Sequence, residues 1–127
     1  KINHRTGVGQ KSVNLGNFFP ILCAYTDDGF YECVYYSDGD PFFSECASYK
    51  VTLTVPKDYT VAATGKITSE RTLESKKEYV MSATNVRDFA IVLSDCFEVL
   101  LRRNGISGIG AYQRRSDGRK LLVYDRT

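Results

Sequence analysis

From Tyr49 to Val55 the chain alternates strictly. Tyr49, Val51, Leu53 and Val55 fall on one side, and Lys50, Thr52 and Thr54 fall on the other. A period of two predicts a half-buried strand, because successive side chains of an extended chain point to opposite faces. Pro56 has no N–H to donate to a ladder and closes that strand. Lys57-Asp58 reads as a tight turn, and Val61 to Thr64 as extended structure resuming up to Gly65.

The same reading extends in both directions. Residues 1 to 16 are polar and Gly-rich and read as an extended or loop segment. Phe18 to Tyr25 is an apolar run interrupted by Pro20 that suits a strand. Thr26-Asp27-Asp28-Gly29 is a hairpin signal, with Phe30 to Tyr36 as the returning strand, and Ser37 to Pro41 is turn chemistry. Lys66 to Lys77, rich in Lys, Glu, Ser and Thr, reads as a solvated hairpin end, although a short helix also fits. Glu78 to Thr84 is a strand, and Phe89 to Ser94 is apolar throughout, as expected of a strand covered on both faces. Beyond it, Phe97, Val99 and Leu101 alternate with Glu98 and Arg102. Asn104-Gly105 and Ser116-Asp117-Gly118 are turns, and Ile106 to Gln113 and Leu121 to Tyr124 are strands. Residues 89 to 101 admit a helix as the competing reading. The expectation is all-β: about eight short strands in an antiparallel sheet or sandwich, as a single β domain over residues 1–127.

Composition narrows this further. With 127 residues the chain is long enough to bury a core. Its aromatics (13% of residues) are Tyr and Phe without Trp, which favours sheet. The net charge of +2 is dispersed, which argues against nucleic acid as a partner. No apolar run reaches membrane-spanning length. The first residue is Lys1, from which the chain is expected to be processed or part of something longer.

Candidate chemistry is sparse. Cys23, Cys33, Cys46 and Cys96 lack any C-x-x-C pair and so lack zinc-ligand spacing. They read as buried free thiols. The competing reading is one disulfide: a three-residue loop at Asp27–Gly29 sets Cys23 opposite Cys33, whereas a four-residue loop puts them on opposite faces. His4 is the single imidazole, so it cannot build a His-Glu-x-x-His site, and every Ser-His or Cys-His nucleophile would have to run through it. Gly7-Val8-Gly9 is too short to cradle phosphate. Asp27, Asp28, Asp38 and Asp40 lack the spacing and closing Glu of an EF-hand and read as turn residues. Tyr31, Tyr35 and Tyr36 either form a sugar-stacking platform or simply cover a sheet face.

Five segments, in order, carry a resemblance: Asn17-Phe18-Phe19-Pro20; Gly39-Asp40-Pro41-Phe42-Phe43-Ser44-Glu45; Val51-Thr52-Leu53-Thr54-Val55-Pro56-Lys57-Asp58-Tyr59; Val61-Ala62-Ala63-Thr64-Gly65; and Asn85-Val86-Arg87-Asp88-Phe89-Ala90. Over roughly residues 16 to 97 the chain resembles the amino-terminal domain of bacterial aminopeptidase N-like zinc metallopeptidases. The resemblance implies the later part of a large curved antiparallel β domain, as a fragment without the thermolysin-like domain that carries the zinc ligands. It implies no cofactor in this fragment, zinc in the catalytic domain of the parent, and a parent metallopeptidase whose fragment is inactive alone. The implied partners are that catalytic domain and the parent's peptide substrate, and a truncated sheet implies edge-to-edge self-association. The implied source is bacterial, either cytoplasmic or exported. In the family an acidic residue shortly before the Phe-Pro motif helps bind the substrate amine, but Lys1 to Pro20 contains no Asp or Glu. Gln10 stands there either as a neutral substrate-binding acceptor or as a solvated side chain in a Gly-rich loop. The alternative function is a self-standing β-sandwich module that binds carbohydrate or protein.

Overall fold

The alternation at Tyr49–Val55 forms one strand of a three-stranded sheet. The computed structural model describes residues 5–32, 34, 38, 43–97, 99–103, 109–114 and 120–123. Twelve strands are present among the described residues. The first six are β1 (Gly7–Val8), β2 (Val13–Leu15), β3 (Tyr25–Thr26), β4 (Gly29–Phe30), β5 (Ala47–Pro56) and β6 (Thr60–Ala63). The others are β7 (Lys66–Leu73), β8 (Lys76–Val86), β9 (Ile91–Ser94), β10 (Val99–Arg103), β11 (Ile109–Arg114) and β12 (Lys120–Val123). Every pairing is antiparallel. The described part is therefore all-β and antiparallel, as the turn-rich, β-branched sequence predicts.

Two sheets make the core. One runs β5–β8–β7, the other β1–β2–β9–β6. Val55, Tyr79, Met81 and Ala83 of the first meet Val61, Ile91 and Leu93 of the second around Phe89. Within the alternation of β5, Lys50, Thr52 and Thr54 are exposed, Tyr49, Val51 and Leu53 are half-buried and Val55 is buried, as the period requires. β9 is flanked on both sides, by β2 and β6, and three of its four residues are buried. Ile91 and Leu93 are buried in the core, whereas Val92 on the alternate face is half-buried, so the strand is interior to its sheet and only partly covered on its second face. β7 is exposed along its whole length. Its hairpin with β8 is laced by ion pairs, Arg71 to Glu78 at 3.2 Å and Lys77 to Glu70 at 3.0 Å. Charges of this kind protect an edge strand from pairing with other chains.

The structure departs from the sequence reading in several places. Lys57-Asp58 does turn the chain, with Tyr59 N donating to Pro56 O at 3.0 Å, but β5 and β6 do not pair. β5 pairs with β8 and β6 with β9, so this tight turn carries the chain from one sheet to the other. The polar segment before residue 16, read as extended or loop, is extended where it contributes β1 and β2 to the second sheet. Phe18 to Ala24 is not a strand, and only Tyr25 and Thr26 are. Asn17 takes a left-handed φ of 51° and Pro20 lacks a donor, so the run bends instead of extending. The returning strand is confined to Gly29–Phe30; Tyr31, Glu32 and Val34 lie outside it, and Cys33, Tyr35 and Tyr36 are outside the described residues. Helix at 89–101 is overturned, since β9 and β10 occupy that span. β11 begins at Ile109 and pairs with β10 and β12. The turn residues Asn104-Gly105 and Ser116-Asp117-Gly118, like Tyr124 and the turn residues Ser37, Gly39, Asp40 and Pro41, are outside the described residues.

The hairpin register answers the cysteine question on its described side. Thr26 pairs with Gly29 and Tyr25 with Phe30, so the loop is the two residues Asp27–Asp28, neither three nor four. Cys23, Cys46 and Cys96 are free thiols, but they are not buried as expected: Cys23 and Cys96 are half-buried and Cys46 is exposed.

Candidate functional site

Segments far apart in sequence meet at one corner of the two-sheet core. Asn17 Nδ2 donates to Asp88 Oδ2 at 3.0 Å, across 71 positions of sequence. The other oxygen of Asp88 accepts from the backbone N–H of Phe89 at 2.7 Å. Asp88 thus uses one oxygen to hold the chain entering from β2 and the other to shape the chain entering β9. Thr64 is tied in from a third direction: its N–H donates to Ala90 O at 2.9 Å, and its Oγ1 accepts from Ala90 N at 3.2 Å. Tyr49 completes the corner by donating from its hydroxyl to Arg87 O at 3.2 Å.

Aromatic rings fill the space between these polar ties. Phe19 meets Phe18 edge-on at 5.2 Å and Tyr49 at 5.5 Å, and Tyr49 lies 5.8 Å from Phe89. Phe89 is fully buried. The outer side of the corner is open: the Arg87 guanidinium lies over the Phe43 ring at 5.6 Å, and Phe43 meets Tyr31 at 5.8 Å. Phe43 O accepts from Ala24 N at 3.0 Å, and Ala24 O accepts from Tyr31 N at 2.8 Å. The segment carrying Phe43 and Ser44 is thereby stitched to the β3–β4 hairpin. Four of the five segments that carry the resemblance therefore contribute directly: Asn17–Phe19, Phe43–Ser44, Thr64 and Arg87–Ala90. The fifth, Val51–Tyr59, runs along β5, whose Tyr49 belongs to the same alternation and supplies the hydroxyl at the corner.

An expected result tests whether Asn17 and Asp88 act as a pair. A part-buried hydrogen bond to a charged acceptor contributes about 1.5–3 kcal/mol, so Asn17→Ala and Asp88→Asn should each lower the urea midpoint. Their double-mutant cycle should show a coupling of about 1 kcal/mol, within the range for contacting residues. Additive effects would mean that the two side chains do not cooperate.

Gln10 lies elsewhere. It is exposed in the turn between β1 and β2, where Gly9 N donates to Ser12 O at 2.7 Å. The neighbouring Lys11 carbonyl accepts from Ser94 Oγ at the far end of β9. Asn17 and Asp88 sit at the opposite ends of β2 and β9, so Gln10 is separated from the corner by the length of β2. His4 is outside the described residues. Among the described residues no three His, Cys, Asp or Glu side chains converge as metal ligands. Of the thiols, Cys96 donates to Asp95 Oδ1 at 3.1 Å. That hydrogen bond, with burial and the carboxylate charge adding to it, pushes the thiol pKa up. A proton held on sulfur is the opposite of nucleophile activation.

What this corner can do is hold and present. It makes a hydrogen-bonded junction from four chain segments and leaves Phe18, Phe43 and Tyr31 partly open beside it. The pairing of Asn17 with Asp88 and the stacking of Arg87 on Phe43 had no signal in the pattern of polar and apolar positions. Comparison with family models, with curated proteins and with solved structures found no match.

Proposed function

We propose that this chain is a non-catalytic β domain of a zinc-dependent, aminopeptidase N-like metallopeptidase. In this reading it packs on a catalytic domain of the same polypeptide and helps wall the substrate cleft. The observation that carries it is the corner: the segments that resemble that family, spread over residues 17 to 90, come together through Asn17–Asp88, Thr64–Ala90 and Tyr49–Arg87. The partly exposed rings beside them, Phe18, Phe43 and Tyr31, fit a face that packs against more protein. Zinc chemistry would belong to the catalytic domain, while this chain's own residues shape and stiffen the wall.

The test is direct. The reading frame that encodes these residues should also encode His-Glu-x-x-His, and the whole polypeptide should release aminoacyl groups in a chelator-sensitive, zinc-restored manner. A reading frame without that motif would overturn the proposal. It would leave a second reading, a β-sandwich binding module, which the exposed Tyr25–Phe30 pair favours, with ring centroids 5.0 Å apart.

A further inference from the structure

Charge is distributed unevenly along this chain. Residues 12 to 49 contain no Lys, Arg or His, but they contain Asp27, Asp28, Glu32, Asp38, Asp40 and Glu45. That stretch carries −6, which against +2 for the whole chain leaves +8 elsewhere. The same stretch holds 10 of the 16 Tyr and Phe residues. Acidity and aromaticity coincide on the β3–β4 hairpin. Tyr25 is 71% exposed and Phe30 55%, although they pair edge to face across the strands. Leu22, three residues before Tyr25 in sequence, is 75% exposed. Asp27 and Asp28 form the exposed tip, and Glu32, two residues past Phe30 in sequence, is exposed as well. Among the described residues these three carboxylates make no ion pair.

The molecule shows what such a combination of ring and carboxylate attracts. Lys77 lies over the Tyr79 ring at 5.7 Å while pairing with Glu70 at 3.0 Å. Arg87 lies over Phe43, which is joined through Tyr31 and Ala24 to the hairpin itself. A cation over a ring face is attracted by the ring quadrupole, and a nearby carboxylate adds to that attraction. We propose that the β3–β4 hairpin is a docking surface for a basic polypeptide segment, taking its Arg or Lys side chains between the Tyr25–Phe30 rings and the carboxylates of Asp27, Asp28 and Glu32. Leu22 supplies apolar area for the stems of those side chains. This inference does not depend on the peptidase reading, since it concerns a partner's charge and not a substrate's chemistry.

The experiment titrates the 127-residue chain with a fluorescein-labelled peptide of alternating arginine and glycine, following anisotropy and, by NMR, the ring resonances of Tyr25 and Phe30. Binding should shift both sets of ring resonances and weaken about tenfold as salt rises from roughly 0.05 M to 0.5 M, because exposed charges are screened. The triple variant Asp27→Asn/Asp28→Asn/Glu32→Gln should weaken binding about tenfold, and Tyr25→Ser/Phe30→Ser by a similar factor. Three carboxylates removed elsewhere, Glu70→Gln/Glu74→Gln/Glu78→Gln, should leave the affinity within about twofold. The inference is overturned if that control weakens binding as much as the hairpin variant does, or if the ring resonances of the wild type stay in place. It is equally overturned if an alternating glutamate–glycine peptide or a neutral oligosaccharide shifts those resonances instead, or if only self-association of the chain does.

Discussion

Phe89→Ala should lower the unfolding free energy by about 3–5 kcal/mol, the cost of deleting a large ring from a core that cannot fully collapse around the gap. Phe89 is fully buried, lies 5.8 Å from Tyr49, and belongs to the cluster formed by both sheets. Its backbone is fixed as well, because its N–H is held by Asp88 and the next residue is tied to Thr64. A side chain anchored in this way cannot be replaced by a neighbour sliding in. Against the roughly 5–15 kcal/mol that holds a typical domain together, the loss should shift the urea midpoint far down. Phe89→Leu keeps most of the volume and should cost clearly less. Equal effects of the two variants would show that ring volume is not what matters at this position, and a loss under about 1 kcal/mol for Phe89→Ala would remove Phe89 from the core.

The class of fold was legible because its cause is local. The alternation at Tyr49–Val55 reports a one-sided sheet and appears where residue type places it. The run from Phe89 to Ser94 reports a buried strand, which the structure shortens to Ile91–Ser94, with Phe89 and Ala90 leading into it. Strand pairing was not legible, because it is decided by contacts distant in sequence. The turn at Lys57-Asp58 looks the same whether the next strand returns alongside β5 or crosses to the other sheet. What decides is β9, whose Ile91 and Leu93 take Val13, Leu15, Val61 and Ala63 as partners. The apolar run at Phe18–Ala24 misled for a related reason. Its hydrophobicity serves ring packing at the corner and an exposed hairpin flank, neither of which has the period of a strand.

The candidate corner was half legible. Its residues stood out as a set through the resemblance, and the structure supplies the physical bond between members of that set. Asn17 and Asn85 both adopt left-handed backbone, with φ of 51° and 58°, where Asn is tolerated better than other side chains. The asparagines that open two of the motifs are thus explained by the bends they permit. Gln10 was singled out by the absence of a carboxylate near the amino terminus, an argument about chemistry with no geometric content. Its place at the far turn of β2 could not have been read from composition.

Gly65→Ala should be the most damaging change of a single methyl group, at about 2–4 kcal/mol from left-handed strain and overpacking together. Gly65 links β6 in one sheet to β7 in the other and has a φ of +84°. A Cβ there would lie 2.2 Å from Ser82 O and 2.7 Å from Ala83 Cβ, both on β8. A backbone carbonyl inside a ladder cannot rotate away as a flexible side chain can, so β8 must shift or the link must move outward. Either response disturbs Met81 and Ala83, which face the second sheet in the core. The two sources of cost can be separated. If backbone strain dominated, Gly65→Asn would be milder than Gly65→Ala, because Asn accepts left-handed φ more readily. If the approach to β8 dominates, as these distances imply, Asn brings the same Cβ and more atoms behind it, and should be at least as destabilising. Thermal unfolding of the two variants beside the parent chain decides between them, and an alanine variant as stable as the parent would mean that the β6–β7 link does not pass this close to β8.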